Sequence, residues 1–298
     1  MDSDVDSDFY GDGDHASQLQ ERVDSFDVEN YFQARASHSG RPLPGAIPTN
    51  NLTHLHNPYA NIDYAWQLTE TVESFLQRLP PETTPQNLKT PWIFICNPFI
   101  PRAAKVDSSD TRGEDDAEAP EEDGSNVQML VTGAEERLDL LRSFIEKTEE
   151  TKKSKAAKEK EIAKEKSRAT SDILNLAAMQ KVRAGKWMLF CSPREVNEVW
   201  EIVAKSTADN ELGIAAKVAP RSETEDPRKD RLVCVYTTDF SNKADVERVL
   251  QKLRELKLVE ARGRPIYYKP DAYTYIGISS GNPWGIRASI YSSLDSFS

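Results

Sequence analysis

The stretch GKWMLFCSPREVNEVWEIVAKSTADNELGIAAKVAP, residues 185–220, decides the fold because two kinds of apolar pattern alternate within it. Lys186–Cys191 is a short run of mostly large apolar residues, which is typical of a strand. Pro193–Lys205 has apolar residues at helical spacing, with Ser192 as the predicted N-cap and proline at the first helical position. Gly213–Ala219 again has the pattern of a strand. The stretch therefore predicts a strand, a helix and a second strand.

The same alternation continues toward the C-terminus. Further strands are predicted at Arg231–Thr237, Ile266–Lys269, Tyr273–Ser279 and Ile286–Tyr291, with a helix at Lys243–Leu256 capped by Ser241. The last strands are joined by short, hairpin-like connections, which favour antiparallel pairing. We therefore expect residues 183–293 to form an α+β domain, with a curved and mainly antiparallel sheet backed by helices.

The first 182 residues add helices, one strand and two acidic segments. We expect a disordered acidic tail over 1–58, a helix at 61–79 and a strand at 92–96 that join the main domain within 59–100, an acidic disordered insertion over 101–133, and a helical segment over 134–182. Within the last segment, Glu149–Arg168 mixes lysine with glutamate and has almost no apolar face. It therefore predicts a solvated, frayed helix rather than a basic arm for nucleic acid.

Charge and composition limit the location of the protein. The net charge is -11, from 49 acidic and 38 basic residues, but residues 131–298 hold 30 basic and 26 acidic residues. No run of about 18 apolar residues occurs, so we expect no membrane span and no membrane partner. Cys96, Cys191 and Cys234 are an odd number and lie in apolar runs, which favours reduced thiols in the cytoplasm or the nucleus.

Side-chain alternation along the strands predicts a site. The aliphatic side chains should meet the helices, and the polar and aromatic side chains should line the opposite, concave face. Four residues line this face as a candidate ligand site, with Lys269 and Trp284 nearby: Lys217, Tyr273, Tyr275 and Arg287. Lysine and arginine can hold a phosphate, and aromatic rings can stack on a base. The alternative is that these residues only cover an exposed sheet face.

Common catalytic and metal-binding motifs are absent from the sequence. It contains no Walker A loop, no GxGxxG after a strand and no GxSxG. It also contains no CxxC or HExxH, so we expect no metal site and no cofactor. Ser192 and Ser241 are better explained as helix caps than as nucleophiles.

The run at 185–220, followed by RLVCVYTTDF and YYKPDAYTYIGISSGNPWGIRASIYSS, resembles the basophilic-leukaemia-expressed protein family, whose function is unknown. KPDAYTYIGI and GNPWG carry the resemblance most specifically. It implies a fold like that of translation initiation factor 4E, which binds a methylated guanine between two tryptophans. Here only Trp284, in a glycine-flanked loop, is predicted to be free to stack, so cap binding is not favoured.

The order of elements also resembles, more weakly, the bacterial phosphothreonine lyases. That resemblance implies Lys217 as the base that abstracts a proton, with Tyr236 among the phosphate-binding residues. The histidine that acts as the acid in that family has no counterpart here. All four histidines lie within the first 56 residues, far from the strand at Lys186–Cys191 where it belongs: His15, His38, His54 and His56.

Three hypotheses follow for the function. The first is a non-catalytic binding module that holds a phosphorylated ligand, a nucleotide or RNA, on the concave sheet face. The second is a lyase-like enzyme that acts on phosphorylated peptides with Lys217 as base. The third is an interaction scaffold whose acidic tail and Lys/Glu helix recruit protein partners. The residues favour the first over catalysis.

Overall fold

The computed structural model describes residues 54–104 and 118–297, apart from Glu223, Glu225, Pro227 and Arg262. The helices in this part of the chain are α1 (Val72–Arg78), α2 (Val127–Glu149), α3 (Lys155–Met179), α4 (Val196–Ala208), α5 (Lys243–Glu255) and α6 (Asp271–Tyr275). The strands are β1 (Ile93–Cys96), β2 (Gly185–Cys191), β3 (Ala215–Val218), β4 (Arg231–Thr237), β5 (Tyr267–Pro270) and β6 (Tyr291–Ser292).

The strands form one sheet in the order β1-β3-β4-β2-β5-β6. Every pairing between neighbouring strands is antiparallel. The sheet and its helices confirm the predicted α+β class. Among the described residues, no helix is both long enough and apolar enough to cross a membrane.

The two faces of the sheet differ in chemistry because successive side chains point to opposite sides. One face packs on helices: α4 contacts β1, β3 and β4, and α5 contacts β4. Trp187 and Trp200 are fully buried in this layer, and Trp187 Nε1 donates a hydrogen bond to the Val246 carbonyl oxygen (3.0 Å). The other face carries Lys186 and Lys217, which lie in register with Tyr236 and Cys234 of β4.

Helices α2 and α3 form a pair joined by a short break at residues 150–154. Arg137 of α2 donates hydrogen bonds to Glu165 (2.7 Å) and Asp172 (2.8 Å) of α3. Ile162 of α3 is buried, so the Lys/Glu run has one sparse apolar face and is not solvated all round. Its first residues belong to α2 and to the break, and the remainder belongs to a continuous α3.

Several predicted elements differ from the structure. The helix predicted at 61–79 is present only at Val72–Arg78. The Gln67 side-chain amide donates hydrogen bonds to the carbonyl oxygens of Tyr59, Ile62 and Ala65, and these bonds hold the preceding residues in turns. The end of the predicted acidic tail is also part of the fold, because Asn57 Nδ2 donates a hydrogen bond to the Trp66 carbonyl oxygen (3.1 Å). The rest of that tail, residues 1–53, lies outside the described residues.

The predicted strand at Tyr273–Ser279 is wrong, because α6 occupies Asp271–Tyr275. Pro270 has an extended backbone and precedes the helix directly, a position where proline stops the strand. The predicted strand at Ile286–Tyr291 is reduced to Tyr291–Ser292.

One predicted helix start and two predicted N-caps are also wrong, whereas the predicted start of α5 at Lys243 is confirmed. Helix α4 begins at Val196 rather than Pro193, with Glu195 as N-cap residue in place of Ser192. The side chain that caps α5 is Asn242, which accepts a hydrogen bond from the Asp245 backbone N–H, in place of Ser241.

Candidate functional site

Two buried lysines, on the two strands that flank β4, define the centre of the site. Lys186 comes from β2 and Lys217 from β3, and their side chains share one face of the sheet. Their exposed fractions are 4% and 2%. A buried ammonium group is strongly unfavourable unless an opposite charge and hydrogen-bond acceptors lie beside it. The structure therefore has to supply counter-charges at this point.

Glu118 supplies the first counter-charge. Its carboxylate accepts hydrogen bonds from Lys186 Nζ, from Lys217 Nζ (3.1 Å) and from the Tyr236 hydroxyl (3.0 Å). Burial alone would raise the pKa of Glu118, but the charges of Lys217 and Lys186 outweigh it and lower this pKa to about 2. Glu118 therefore stays ionised at neutral pH, as the acceptor at the centre of three donors.

Asp271 supplies the second counter-charge, from the first residue of α6. Its Oδ1 accepts a hydrogen bond from Lys186 Nζ (3.0 Å), which also donates to Thr274 Oγ1 (3.1 Å). Burial raises the pKa of Asp271 to about 6, because the opposing charge of Lys186 offsets burial only in part. The pKa of Lys186 is raised, since the charges of Asp271 and Glu118 exceed the effect of its burial.

Two buried polar atoms near the carboxylates of the site have no hydrogen-bond partner among the described residues. They are the second carboxylate oxygen of Asp271 and the hydroxyl of Tyr59. Tyr59 is fully buried, and burial together with the nearby charges of Asp271 and Glu118 raises its pKa. Buried polar atoms usually have partners, and of these two the Tyr59 hydroxyl can donate a hydrogen bond, whereas the Asp271 oxygen can only accept one while it is ionised.

Aromatic rings and a third lysine surround the two central ammonium groups. Lys217 Nζ lies 4.0 Å from the ring centre of Trp92, and Lys186 Nζ lies 5.5 Å from that of Tyr236, within the range of cation–π attraction. Lys269 of β5 pairs in register with Lys186. Burial first, and then the charge of Lys186, lower the pKa of Lys269 to about 8.

Glu118 reaches the lysines from a segment, Glu118–Glu122, whose other end is held by arginine. Arg183 forms two hydrogen bonds with the Glu122 carboxylate, one of them from Nε at 2.9 Å. The backbone N–H of Ala103 donates to the Glu121 carbonyl oxygen (3.1 Å). The segment thus connects a buried lysine pair with a more exposed arginine.

Two cavities border this segment. A cleft of about 540 Å³ is lined by Arg102, Glu122, Arg183 and Asp239, among others. A small cavity of about 20 Å³, enough for one water, lies between the segment and Asp271 and shares Arg102 and Arg183 with the cleft. Burial lowers the pKa of Arg102. We call the lysine pair with its carboxylates the inner site and the arginine-lined cleft the outer site.

The structure brings together some of the predicted site residues. Lys217 and Tyr236 form part of the inner site, and Lys269 lies next to it, whereas Tyr275 lines the small cavity. Tyr273 is buried on α6. Trp284 lies against Arg142 of α2, 5.9 Å from ring centre to guanidinium carbon, and Arg287 is exposed, so neither belongs to the inner site.

The predicted open hollow is wrong at the central lysine, because Glu118 and its segment cover it. The insertion predicted over 101–133 includes this segment, and α2 already begins at Val127. Residues 105–117 lie outside the described residues. Composition suggested a solvated acidic loop, but the desolvated lysines require a carboxylate, and Glu118 provides it.

Sequence reasoning also missed Lys186, Glu118, Asp271 and Tyr59. Lys186 could have been found, because it is a lysine in an otherwise apolar strand. Its side chain points to the same side as Met188 and away from the side of Trp187, which packs on the helices. Asp271 sits in a stretch predicted to be turn and strand, and Glu118 sits in an acidic repeat in which no single glutamate stands out. The described histidines, His54 and His56, are both exposed, and neither contributes to the inner site.

These features define a class: an α+β protein with one antiparallel sheet, helices α4 and α5 on one face, and on the other a buried lysine–carboxylate cluster covered by Glu118–Glu122 and α6. The family model of the basophilic leukemia-expressed protein Bles03 matches residues 19–277. The chain therefore belongs to this family, as the sequence analysis predicted. The match includes the segments that carry Glu118, Lys186, Lys217 and Asp271.

Proposed function

We propose that this chain is a non-catalytic binding module whose inner site holds the anionic group of a phosphorylated ligand. The single observation that carries the proposal is the position of Glu118. The carboxylate of Glu118, which lies on a connecting segment, is held by two buried ammonium groups and a tyrosine hydroxyl. A phosphate offers the same acceptors with more charge, so it can replace the carboxylate.

The charges of the described residues favour a dianion as the replacement. With Glu118 withdrawn, Asp271 would remain as a counter-charge to Lys186, and Lys269 would lie beside them with a pKa that an added anion raises. A carboxylate neutralises one positive charge, whereas a phosphate monoester carries about two negative charges at neutral pH. The unpartnered Tyr59 hydroxyl adds a further donor.

The proposal also includes a fold like that of translation initiation factor 4E and a location in the cytoplasm or the nucleus. The antiparallel sheet with α4 and α5 packed on one face supports a likeness to translation initiation factor 4E, with the ligand, a nucleotide, RNA or phosphorylated peptide, on the opposite face. The three unpaired thiols support the cytoplasm or the nucleus. Protein partners on the exposed part of the Lys/Glu helix are compatible with this function. No specific observation favours the lyase reaction.

A thermal-shift titration of the full chain with inorganic phosphate tests the proposal. Glu118→Gln removes the resident charge, so millimolar phosphate should raise the melting temperature of this variant by several degrees while leaving wild type nearly unchanged. Adding Lys217→Met should abolish the response. Sodium chloride at matched ionic strength and the exposed Glu121→Gln variant are the controls.

One outcome of this titration would contradict the proposal. If Glu118→Gln responds to phosphate no more than wild type does, the inner site does not bind phosphate and the proposal is wrong. Should the variant be unfolded without phosphate, circular dichroism during phosphate addition takes the place of the melting curve, and recovery of the folded signal is then the expected outcome.

A further inference from the structure

The resident occupant of the two sites is a stretch of peptide, and this identifies the class of ligand. Glu118 contacts the lysine pair of the inner site, and Glu122, four residues later, contacts Arg183 of the outer site. One short chain segment therefore satisfies both groups of cations at once. The spacing between the inner and the outer site is a spacing that a peptide spans.

The backbone of the segment is also recognised. The N–H of Ala103 donates to the Glu121 carbonyl oxygen (3.1 Å), and Lys181 Nζ donates to the carbonyl oxygen of Asp123, the residue that directly follows the segment (3.1 Å). Main-chain hydrogen bonds that accompany side-chain contacts are the usual means by which an extended peptide is bound. A nucleotide has no equivalent of these carbonyl groups at the same spacing.

The aromatic rings near the site do not favour a base. Trp92 lies under the Lys217 ammonium group at 4.0 Å, and Tyr236 is approached by both lysines. Trp284 is occupied by Arg142 and lies outside the inner site. Among the described residues of the inner site, no pair of rings is placed to enclose a purine between parallel faces.

From these observations we infer that the ligand is an acidic phosphopeptide, which takes the path of Glu118–Glu122 with its phosphorylated side chain in the inner site and an acidic side chain four residues later in the outer site. This inference rests on the proposed function. The cleft beside Arg102 and Arg183, about 540 Å³, provides room at the outer site for the second acidic group. The chain's own segment is then a built-in competitor for the peptide.

The direct test uses a peptide copied from residues 116–124, DAEAPEEDG, with phosphoserine in place of Glu118. Its affinity is measured by fluorescence anisotropy for the full-length wild type, for Glu118→Gln/Glu122→Gln and for the milder Glu122→Gln. Binding should become about tenfold tighter or more in the double variant, because apparent affinity increases as the competing segment vacates the site. Glu122→Gln should show a smaller gain, and it changes only a partly exposed ion pair, so folding is preserved.

Two further probes distinguish the ways in which the idea can fail. A peptide whose second acid, the one equivalent to Glu122, is glutamine should bind about tenfold more weakly, since it loses the contact with Arg183. If this peptide binds equally well, or if adenosine monophosphate binds the double variant more tightly than the phosphopeptide does, the ligand is not the peptide described. If neither these probes nor inorganic phosphate binds any variant, the proposed function itself fails.

Discussion

At the scale of single residues, the inner site depends on one glutamate that balances two buried ammonium groups. Glu118 is 5% exposed, and it is bound by both lysines and by Tyr236. Removing one partner of a buried ion pair leaves an uncompensated charge away from water, which destabilises a protein far more than loss of an exposed pair. Glu118 and Glu122 lie four residues apart in these two different environments.

We predict that Glu118→Gln lowers the free energy of unfolding by about 3–5 kcal/mol in phosphate-free buffer. Glu122→Gln, which leaves the partly exposed Arg183 to water, should cost about 1 kcal/mol or less. Urea denaturation of both variants and wild type measures the difference. Equal losses in the two variants would contradict the claim that the lysine pair requires Glu118.

At the scale of elements, the end of β4 and the start of β3 approach so closely that one position requires glycine. A Cβ atom on Gly213 would lie 1.7 Å from the Tyr236 carbonyl oxygen, which is a backbone atom and accepts a hydrogen bond from the Ile214 N–H (2.9 Å). The backbone cannot move without breaking the pairing that aligns Lys217 with Cys234. The alignment of the inner site thus depends on a residue without a side chain.

Gly213→Ala is therefore expected to destabilise the protein by at least about 3 kcal/mol, since the new methyl group overlaps backbone. Gly133→Ala on α2 is the matched control. Its Cβ would approach only the Leu176 side-chain tip, at 2.8 Å, which can move. The helix preference of alanine should make this control neutral or slightly stabilising. Thermal denaturation of both variants gives the comparison, and a harmless Gly213→Ala would refute the argument.

The elements with regular apolar periodicity were the ones that could be predicted from the sequence. β2, β4 and α5 have regular apolar periodicity, and the structure places them where the pattern indicates. The five-residue helix α6 has no such periodicity, because alternating Tyr273 and Tyr275 also fit a strand. Alternation along β3 predicted that Lys217 lies on the face opposite the helices, and the resemblance to the lyases added Tyr236. Neither contained information about Glu118, because an acidic segment of low complexity does not indicate which carboxylate the folded sheet will bury.

At the scale of the whole molecule, the two buried carboxylates give stability opposite dependences on pH. The pKa of Asp271 is raised from 3.8 to about 6, so the folded state holds this proton more tightly, and the stabilisation is present at low pH and lost as pH rises through 6. The pKa of Glu118 is lowered from 4.5 to about 2, so its stabilisation is present above 4.5 and lost as pH falls toward 2. The contribution of Asp271 falls as pH rises from 3.8 to about 6, and that of Glu118 falls as pH drops below 4.5, so stability from this cluster should be greatest near about pH 4.

We predict that Asp271→Asn removes the fall in the free energy of unfolding that Asp271 causes as pH rises. Between pH 4.5 and 7, ionisation of Asp271 should reduce the free energy of unfolding of wild type by on the order of 2 kcal/mol relative to the variant, since one pKa unit corresponds to about 1.4 kcal/mol. Urea denaturation at several pH values measures both slopes. Parallel curves for the two proteins in this range would show that Asp271 does not titrate with a raised pKa.

The ammonium group of Lys217 above the ring of Trp92 gives the molecule an intrinsic optical reporter. Indole emission responds to a positive charge at this distance, 4.0 Å, and the charge is held there by the same glutamate that a ligand would displace. An event that moves Lys217 away from the ring, or replaces Glu118 as the counter-charge of its ammonium group, therefore changes the fluorescence of Trp92. Occupancy of the lysine pair can therefore be followed in the unlabelled protein, with Trp92→Phe identifying the signal.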